Sequence, residues 1–181
     1  MNTPSAQDVL SFWFEEISPK QQFVKDEQFD AEIKRRFGPL HASLKKDASS
    51  FTSTPKGALA AILVFDQFSR NMFRGSGQAF DTDPLALLIA KDLITSGADK
   101  TMPDNHRIFV YMPFMHAETL EDQEQSVALF TALGITSNIA YANKHHDVVK
   151  KYGRFPHRNK AIDRVSSPEE KTFINTPGTA F

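Results

Sequence analysis

Two stretches of the chain carry arginine, asparagine and aromatic side chains at a density that could bind or transform an anion. Residues 66–75 read DQFSRNMFRG, and residues 152–164 read YGRFPHRNKAIDR. A guanidinium group binds carboxylates and phosphates through paired, charge-assisted hydrogen bonds. Because both stretches contain the combination of Phe, Arg and Asn, we expect them to meet in the fold and to form one polar site.

The second stretch is the more basic of the two, and its charge allows two interpretations. Seven basic residues lie between positions 150 and 164, against one Asp. In a structural interpretation, the arginines pair with acidic side chains and tie loops to helix ends. In a functional interpretation, some of them face a cleft and bind a carboxylate or phosphate. The arginines concerned are Arg70, Arg74, Arg154 and Arg158, and the acidic candidates are Asp66, Asp81, Glu118 and Asp163.

Histidines near these stretches add a possible acid–base function. His116 stands two residues before Glu118, His145 lies on the helix that leads into the basic stretch, and His157 lies within that stretch. Imidazole titrates near neutral pH and a carboxylate can orient it, so a hydrolase with a His/Glu pair is an alternative function. No nucleophile-elbow sequence surrounds a serine, and the catalytic residues stay unassigned.

The sequence predicts neither a metal site nor a cofactor. Adjacent helical positions point about 100° apart, so His145 and His146 cannot easily bind one ion together. No HExxH motif occurs, and the chain has no Cys, which removes thiolate nucleophiles and Cys-bound metals. The Gly-rich signatures of dinucleotide and P-loop sites do not occur either.

Length and composition predict one soluble domain. With 181 residues, of which 40% are hydrophobic and 24% are charged, the chain is predicted to form a single domain over residues 1–181. The net charge of −1 provides no general attraction to nucleic acid or to an anionic membrane. No apolar run approaches the ~20 residues of a membrane span, and the first residues lack a signal-peptide profile. We therefore expect a cytoplasmic protein, whose oligomeric state the sequence does not define.

Helix start and stop signals recur along the chain. The predicted N-caps are Ser5, Thr54, Thr119 and Ser167. The predicted helix ends are Gly97, Gly134 and Gly153. The run 58–65 is apolar on every side and predicts a buried central helix. Because no credible alternating strands are present, the sequence predicts an all-α domain of about six to eight helices in antiparallel pairs.

Proline and glycine predict breaks in the helical pattern. Gly38-Pro39 is expected to kink or split the helix whose apolar stripe covers residues 29–44. Pro103 and Pro113 predict a short helix followed by a turn over residues 99–118. We expect both arginine-rich stretches to lie on irregular backbone, where side chains can converge.

Taken together, the motifs of this chain resemble one known family. The segments that carry the resemblance are VLSFWF at 9–14, FD at 29–30, DQFSRN at 66–71, FRG at 73–75, YMP at 111–113, HAE at 116–118, DQ at 122–123, His145, GRFPHRN at 153–159 and PEE at 168–170. Over nearly its whole length the chain resembles the mainly bacterial proteins grouped as domain of unknown function 924. The resemblance implies a tetratricopeptide-like all-α fold and a shared polar site, but no activity and no catalytic residue.

Four positions depart from the pattern of that family. Gln22 stands where the family implies Trp, Met115 and Ala117 stand where it implies Glu and Ser, and Asp163 stands where it implies Gly.

The leading hypothesis is a binding protein whose polar pocket receives an anionic small molecule or an acidic peptide end. The candidate ligand-binding residues are Arg70, Asn71, Arg74, His116, Glu118, His145, Arg154, His157, Arg158 and Asn159. A hydrolase in the same pocket and a purely structural polar core are the alternatives. No cofactor, metal, nucleic acid or membrane partner is predicted.

Overall fold

The computed structural model describes residues 3–179, and every regular element in that range is helical. The ten α-helices are α1 (Ala6–Ser11), α2 (Glu27–Leu44), α3 (Ser49–Thr52), α4 (Pro55–Leu63), α5 (Ser69–Met72), α6 (Asp83–Thr95), α7 (Asp104–Met115), α8 (Leu120–Leu133), α9 (Thr136–Tyr152) and α10 (Pro168–Asn175). The all-α prediction is confirmed, but the predicted number of six to eight helices is wrong. The excess arises from α3 and α5, single turns that are too short to produce an apolar periodicity in the sequence. None of the helices in this range is both long and apolar enough to cross a membrane.

The helices pack into two compact units. The first contains the described residues up to Arg74 together with Gln78–Pro113. The second contains Gly75–Gly77 and the described residues from Phe114 onward. Whether these two units act as the single domain expected over residues 1–181 stays a prediction.

Aromatic side chains fill the core of the first unit. The capping box at Ser5 starts α1 as predicted, and a wide π-helical turn, Phe12–Glu16, follows it. Phe12 and Trp13 are buried, and their rings lie 5.8 and 5.5 Å from the ring of Phe68. Because aromatic pairs at these distances add to the energy of burial, the turn is anchored in the centre of the unit.

The central helix α4 is as buried as the sequence predicts. Thr54 caps it by accepting a hydrogen bond from the backbone N–H of Gly57 (3.1 Å), and every residue from Gly57 to Leu63 is buried. The helix packs against α1, α3 and α6, so it keeps no polar face. After Leu63 the chain forms a second π-helical turn, Val64–Phe68, and continues as α5. The expected irregular backbone at Arg70 is therefore wrong, because this residue lies on a helix.

Two helices continue through proline where the sequence predicts interruptions. α2 runs unsplit through Gly38-Pro39, with Phe37 and Leu40 buried on either side. α7 runs through Pro113 to Met115, in place of the predicted short helix and turn. An internal proline removes one backbone donor and strains the preceding turn, and tertiary packing offsets that cost here.

α8 and α9 form a helical hairpin in the second unit. Thr119 caps α8, and Gly134 ends it in the left-handed conformation, as predicted. α9 begins at Thr136, and the left-handed Gly153 ends it, as predicted. The short connection between the helices makes them antiparallel neighbours, and they pack against each other. The predicted capping box at Ser167 starts α10.

The second arginine-rich stretch is more regular than expected. Pro156–Ile162 forms a 3-10 helix that carries His157 and Arg158. This helix ends at Asp163, whose φ of 54° is left-handed. Glycine adopts that conformation without strain, which gives a physical reason for the Gly that the family pattern implies here.

Replacing Leu63 by Ala should lower the free energy of unfolding by about 2–5 kcal/mol. Leu63 is 0% exposed, so the truncation removes apolar contacts and leaves a cavity. Urea unfolding measures the loss, and Leu88→Ala is the matched control because Leu88 is 59% exposed. A loss below about 1 kcal/mol for Leu63→Ala would mean that α4 is not central to the unit.

Candidate functional site

Side chains hold the π-helical turn Val64–Phe68 of the first unit. Three consecutive carbonyl oxygens of the turn accept side-chain hydrogen bonds: Ser69 Oγ donates to Val64 O (3.3 Å), Thr82 Oγ1 to Phe65 O (2.7 Å) and Arg70 Nη1 to Asp66 O (2.9 Å). The turn is buried, and a buried carbonyl without a donor costs about 1–3 kcal/mol. These bonds therefore stabilise a helical distortion of a kind that is frequent at functional sites.

A buried chain of hydrogen bonds runs from His41 through Ser69 to Thr82. Thr82 uses its one hydroxyl hydrogen on Phe65 O, so Ser69 shares its own hydrogen between Val64 O and Thr82 Oγ1 (2.8 Å). The Ser69 oxygen therefore accepts from His41 Nε2 (2.9 Å), and burial lowers the pKa of His41. A His–Ser pair can form a nucleophile, but Ser69 is 0% exposed. The pair is a structural feature of the core.

Acidic side chains enclose Arg70. Its guanidinium donates to both oxygens of Asp83 (2.9 and 3.0 Å) and lies 2.9 Å from Asp66 Oδ1. Asp66 is buried and also accepts a hydrogen bond from Gln67. Because two carboxylates surround one guanidinium, this position favours the structural interpretation of Arg70.

Asn71 and Arg74 converge on Asp30 of α2. Asn71 Nδ2 donates to Asp30 Oδ1 (2.7 Å), and Arg74 donates to both carboxylate oxygens (2.6 and 2.8 Å). Burial by itself raises the pKa of Asp30, but the hydrogen bonds from Arg74 and Asn71 outweigh it and lower the pKa. The carboxylate therefore ties α2 to α5 and to the residues that follow it.

In the second unit, Glu118 and Arg164 enclose the backbone of Phe155. Arg164 donates to both oxygens of Glu118 (2.6 and 2.8 Å) and to the Phe155 carbonyl (3.1 Å). The Phe155 N–H donates to Glu118 Oε1 (2.7 Å). Burial raises the pKa of Glu118, but these hydrogen bonds and the nearby charge of Arg158 lower it overall. Glu118 is thus an ionised anchor for the chain after α9.

Glu170 of α10 binds Arg154 and Asn159. Arg154 donates to both carboxylate oxygens (2.7 and 2.9 Å) and to the carbonyl of Val165 (2.9 Å). Asn159 Nδ2 lies 3.0 Å from Ser166 Oγ and 3.4 Å from Glu170 Oε2. The bonds from Arg154 lower the pKa of Glu170 to about 2. Arg154 therefore forms an ion pair, but with a carboxylate that the sequence interpretation does not consider.

His116, His145, His157 and Arg158 gather near Phe155, and we call these four residues the histidine cluster. The centre of the Phe155 ring lies 5.5 Å from that of His145 and 5.6 Å from that of His157. The Arg158 guanidinium lies over the same ring at 4.7 Å. His116 has its ring 6.2 Å from His145, and its carbonyl accepts from Arg158 Nη2 (2.9 Å). Four predicted site residues are thus brought together within the second unit.

Gln123 fixes the backbone on both sides of His116. Its amide Nε2 donates to the carbonyls of Met115 and Ala117, each at 2.7 Å. Gln123 is fully buried on α8, and these bonds satisfy carbonyls at the end of α7 that have no helical partner. The position of His116 therefore depends on α8.

His145 is a buried, neutral member of the histidine cluster. Its Nδ1 lies 2.8 Å from the carbonyl oxygen of Tyr141. Since a carbonyl only accepts, Nδ1 carries the hydrogen and Nε2 is an acceptor. Burial, followed by the charges of His116, His157 and Arg158, lowers the pKa of His145 to about 3 against the opposing effect of the bond to Tyr141. The cluster thus combines a neutral imidazole with positive surroundings.

The predicted site residues are divided between the two units. Arg70, Asn71 and Arg74 belong to the first unit, and the other seven belong to the second. The expectation that both arginine-rich stretches form one site stays a prediction. Among residues 3–179, no three His, Asp or Glu side chains are grouped so that they could hold a metal ion.

Sequence reasoning missed several residues that hold these networks in place. They are Asp30, His41, Thr82, Asp83, Gln123, Arg164 and Glu170. Asp30, Gln123 and Glu170 lie in motifs of the family resemblance, so a signal for them existed. Their partners are far away in sequence, and only the folded chain identifies them.

Replacing Thr82 by Val should lower the free energy of unfolding by about 1–3 kcal/mol. Valine keeps the shape of the side chain, but Phe65 O loses its donor in a buried site. Urea unfolding gives the change, and Thr95→Val on the exposed end of α6 is the control. Equal, small effects of both substitutions would contradict a supporting role for Thr82.

The pH dependence of stability should report the neutral state of His145. The folded-state pKa is lowered to about 3, whereas an unfolded histidine titrates near 6.5, so the unfolded chain binds more protons at acidic pH. Stability therefore falls as the pH drops below about 6.5, and His145 alone should contribute a loss of about 2 kcal/mol between pH 7 and pH 5.

Urea unfolding of wild type, His145→Gln and His146→Gln at pH 5, 6 and 7 isolates this contribution. His41 and His106 also have lowered pKa values, but they are present in all three proteins. We expect the loss at pH 5 to shrink only in His145→Gln. If His145→Gln and His146→Gln keep the full pH dependence of the wild type, His145 is not the neutral buried group.

Comparisons with known proteins identify the family of the chain. The family described as "Bacterial protein of unknown function (DUF924)" matches residues 9–178. A solved structure of a protein of unknown function, ATU0120 from Agrobacterium tumefaciens, is similar with 36% sequence identity and a TM-score of 0.88, over 94% of this chain and 96% of that one. No curated protein sequence matches this chain significantly. The extent of the family match shows that the chain belongs to the bacterial DUF924 family.

Proposed function

We propose that the protein binds a small anionic molecule through the histidine cluster. The supporting observation is the position of His157 and Arg158 at 5.6 and 4.7 Å from the Phe155 ring, with the neutral His145 at 5.5 Å from the same ring. Arg158 is permanently charged, and an exposed imidazole such as that of His157 can gain a proton when an anion approaches. Such a group suits a carboxylate or a phosphate, and an acidic peptide end offers the same carboxylate chemistry.

This proposal is narrower than the ten residues of the sequence prediction. Arg70, Arg74 and Arg154 already have bidentate carboxylate partners, so an anion would have to displace Asp83, Asp30 or Glu170 to reach them. Arg158 donates to the carbonyl oxygen of His116, and its guanidinium lies over the Phe155 ring among the histidines. We therefore propose that the histidine cluster, with the neutral His145 as one of its walls, forms the ligand site, and that the other six residues support the fold around it.

The hydrolase alternative has less support from the geometry. It needs Glu118 to orient or activate a histidine, but both carboxylate oxygens accept hydrogen bonds from Arg164, and one also accepts from Phe155. The lowered pKa of Glu118 makes it a weak base. Glu118 is better suited to hold the backbone on which the histidine cluster is built.

Sulfate should raise the melting temperature more than chloride at the same ionic strength. Sulfate keeps its charge between pH 6 and pH 8, so a larger effect at pH 6 reports the protonation of histidines. Sulfate at ten times its Kd should raise the free energy of unfolding by about 1.4 kcal/mol. For a protein of this size, that gain corresponds to a rise of about 3–6 °C in the melting temperature. Chloride at matched ionic strength removes the contribution of general screening.

His157→Gln is the informative variant, because His157 is exposed and its replacement leaves the core intact. His146→Gln on α9 is the matched control, since that ring faces Asp147 at 3.3 Å. We expect the sulfate effect to vanish in His157→Gln and to persist in His146→Gln. Equal effects in all three proteins, or no excess over chloride, would reject the proposal. The shifts in melting temperature caused by an acidic dipeptide and by its C-terminally amidated form are then compared. A shift that requires the free carboxyl end indicates that peptide ends bind as well as free anions.

A further inference from the structure

A groove in the first unit lies along one face of α6. Its volume is about 650 Å³, within the range of about 300–1,000 Å³ that is usual for small-molecule sites. The α6 wall consists of residues at helical spacing: Leu85, Leu88, Ile89, Asp92, Leu93 and Ser96. Among the described residues of α6, Leu88 is the large apolar side chain left exposed, at 59%. The α6 wall therefore offers apolar surface to an occupant.

A second part of the lining, formed by residues 45–49 and 52–55, is rich in hydroxyl groups. Thr52 Oγ1 donates to Ser49 O (3.4 Å), and Ser53 Oγ donates to Ser50 O (3.0 Å). In the α6 part of the lining, Ser96 Oγ donates to Leu93 O (2.8 Å). A hydroxyl that has used its one hydrogen can only accept further bonds. A hydrogen-bond donor on an occupant can therefore bind to the oxygens of Thr52, Ser53 and Ser96.

The charges around the groove balance. Lys45 lies 3.7 Å from Asp81, and Asp47 accepts from the Ser49 N–H (2.9 Å). Lys46 and Asp92 also line the groove, and within residues 3–179 neither has an ion-pair partner. Because one is positive and the other negative, the lining as a whole favours no net charge on the occupant.

We propose that this groove binds a small uncharged molecule with an apolar skeleton and at least one hydrogen-bond donor. The skeleton would lie along Leu85, Leu88 and Ile89, and the donor would face the hydroxyl-rich part of the lining. This site differs in chemistry from the histidine cluster, because its lining combines apolar side chains and hydroxyl groups with two lysines and two aspartates whose charges balance. It also does not depend on the anion proposal, since all its residues belong to the first unit.

The probe for this site is N-phenyl-1-naphthylamine, an uncharged aromatic amine whose fluorescence increases in apolar surroundings. 1-Anilinonaphthalene-8-sulfonate has the same skeleton with a negative charge, so the two dyes differ in the property under test. We expect saturable binding of one amine molecule per chain, and at least tenfold weaker binding of the sulfonate. Unsaturable binding of the amine, or tighter binding of the sulfonate, would overturn the proposal.

Substitutions at Leu88 locate the binding. Leu88→Lys places a charge on the apolar wall. It should weaken binding of the amine at least tenfold, because the bound dye would remove water from the lysine ammonium group. Leu88→Met keeps an apolar side chain of similar size and should stay within about twofold of wild type. Val165→Lys is the control for an exposed apolar residue outside the groove, since Val165 is 87% exposed. Unchanged binding in Leu88→Lys, or an equal loss in Val165→Lys, would overturn the site.

Discussion

The requirement that buried backbone carbonyls be hydrogen bonded organises the first unit. The π-helical turn Val64–Phe68 lies in the core, where its carbonyl oxygens cannot accept hydrogen bonds from bulk water. Thr82 from the start of α6 and Arg70 from α5 supply donors, and Ser69 links the turn to His41 of α2. Four helices therefore meet at one short segment, and a change in any of these polar side chains affects all of them.

In the second unit, an ion pair and a buried amide side chain bind the backbone groups near the histidine cluster. Glu118 and Arg164 bind the N–H and the carbonyl of Phe155, and Gln123 binds the carbonyls on either side of His116. His116 lies between the two carbonyls that Gln123 binds, and His157 and Arg158 follow Phe155 closely in the chain. An anion that enters the cluster would therefore meet groups that are already in position, which reduces the entropy lost on binding.

The two arginine-rich stretches show how environment separates side chains of the same type. Arg70, Arg74 and Arg154 each face a carboxylate in bidentate geometry, which neutralises the guanidinium and fixes an adjoining helix. Arg158 lies instead over the ring of Phe155 in a group with three histidines. The proposed anion site uses this second environment, in which Arg158 lies among histidine rings. The sequence shows the same density of arginine in both stretches, so it does not distinguish the arginines in bidentate ion pairs from Arg158.

The sequence alone determined the all-α class of this protein, the ends of several of its helices and the residues of its polar motifs. N-caps such as Ser5 and Thr119 and left-handed glycines such as Gly134 act within one turn, so local sequence defines them. The buried run of α4 was also predictable, because it is apolar on every side. Only the tertiary structure decided that α2 and α7 continue through proline, that Glu170 binds Arg154, and that His145 is neutral. These features depend on burial and on partners distant in sequence, and neither is encoded in local spacing.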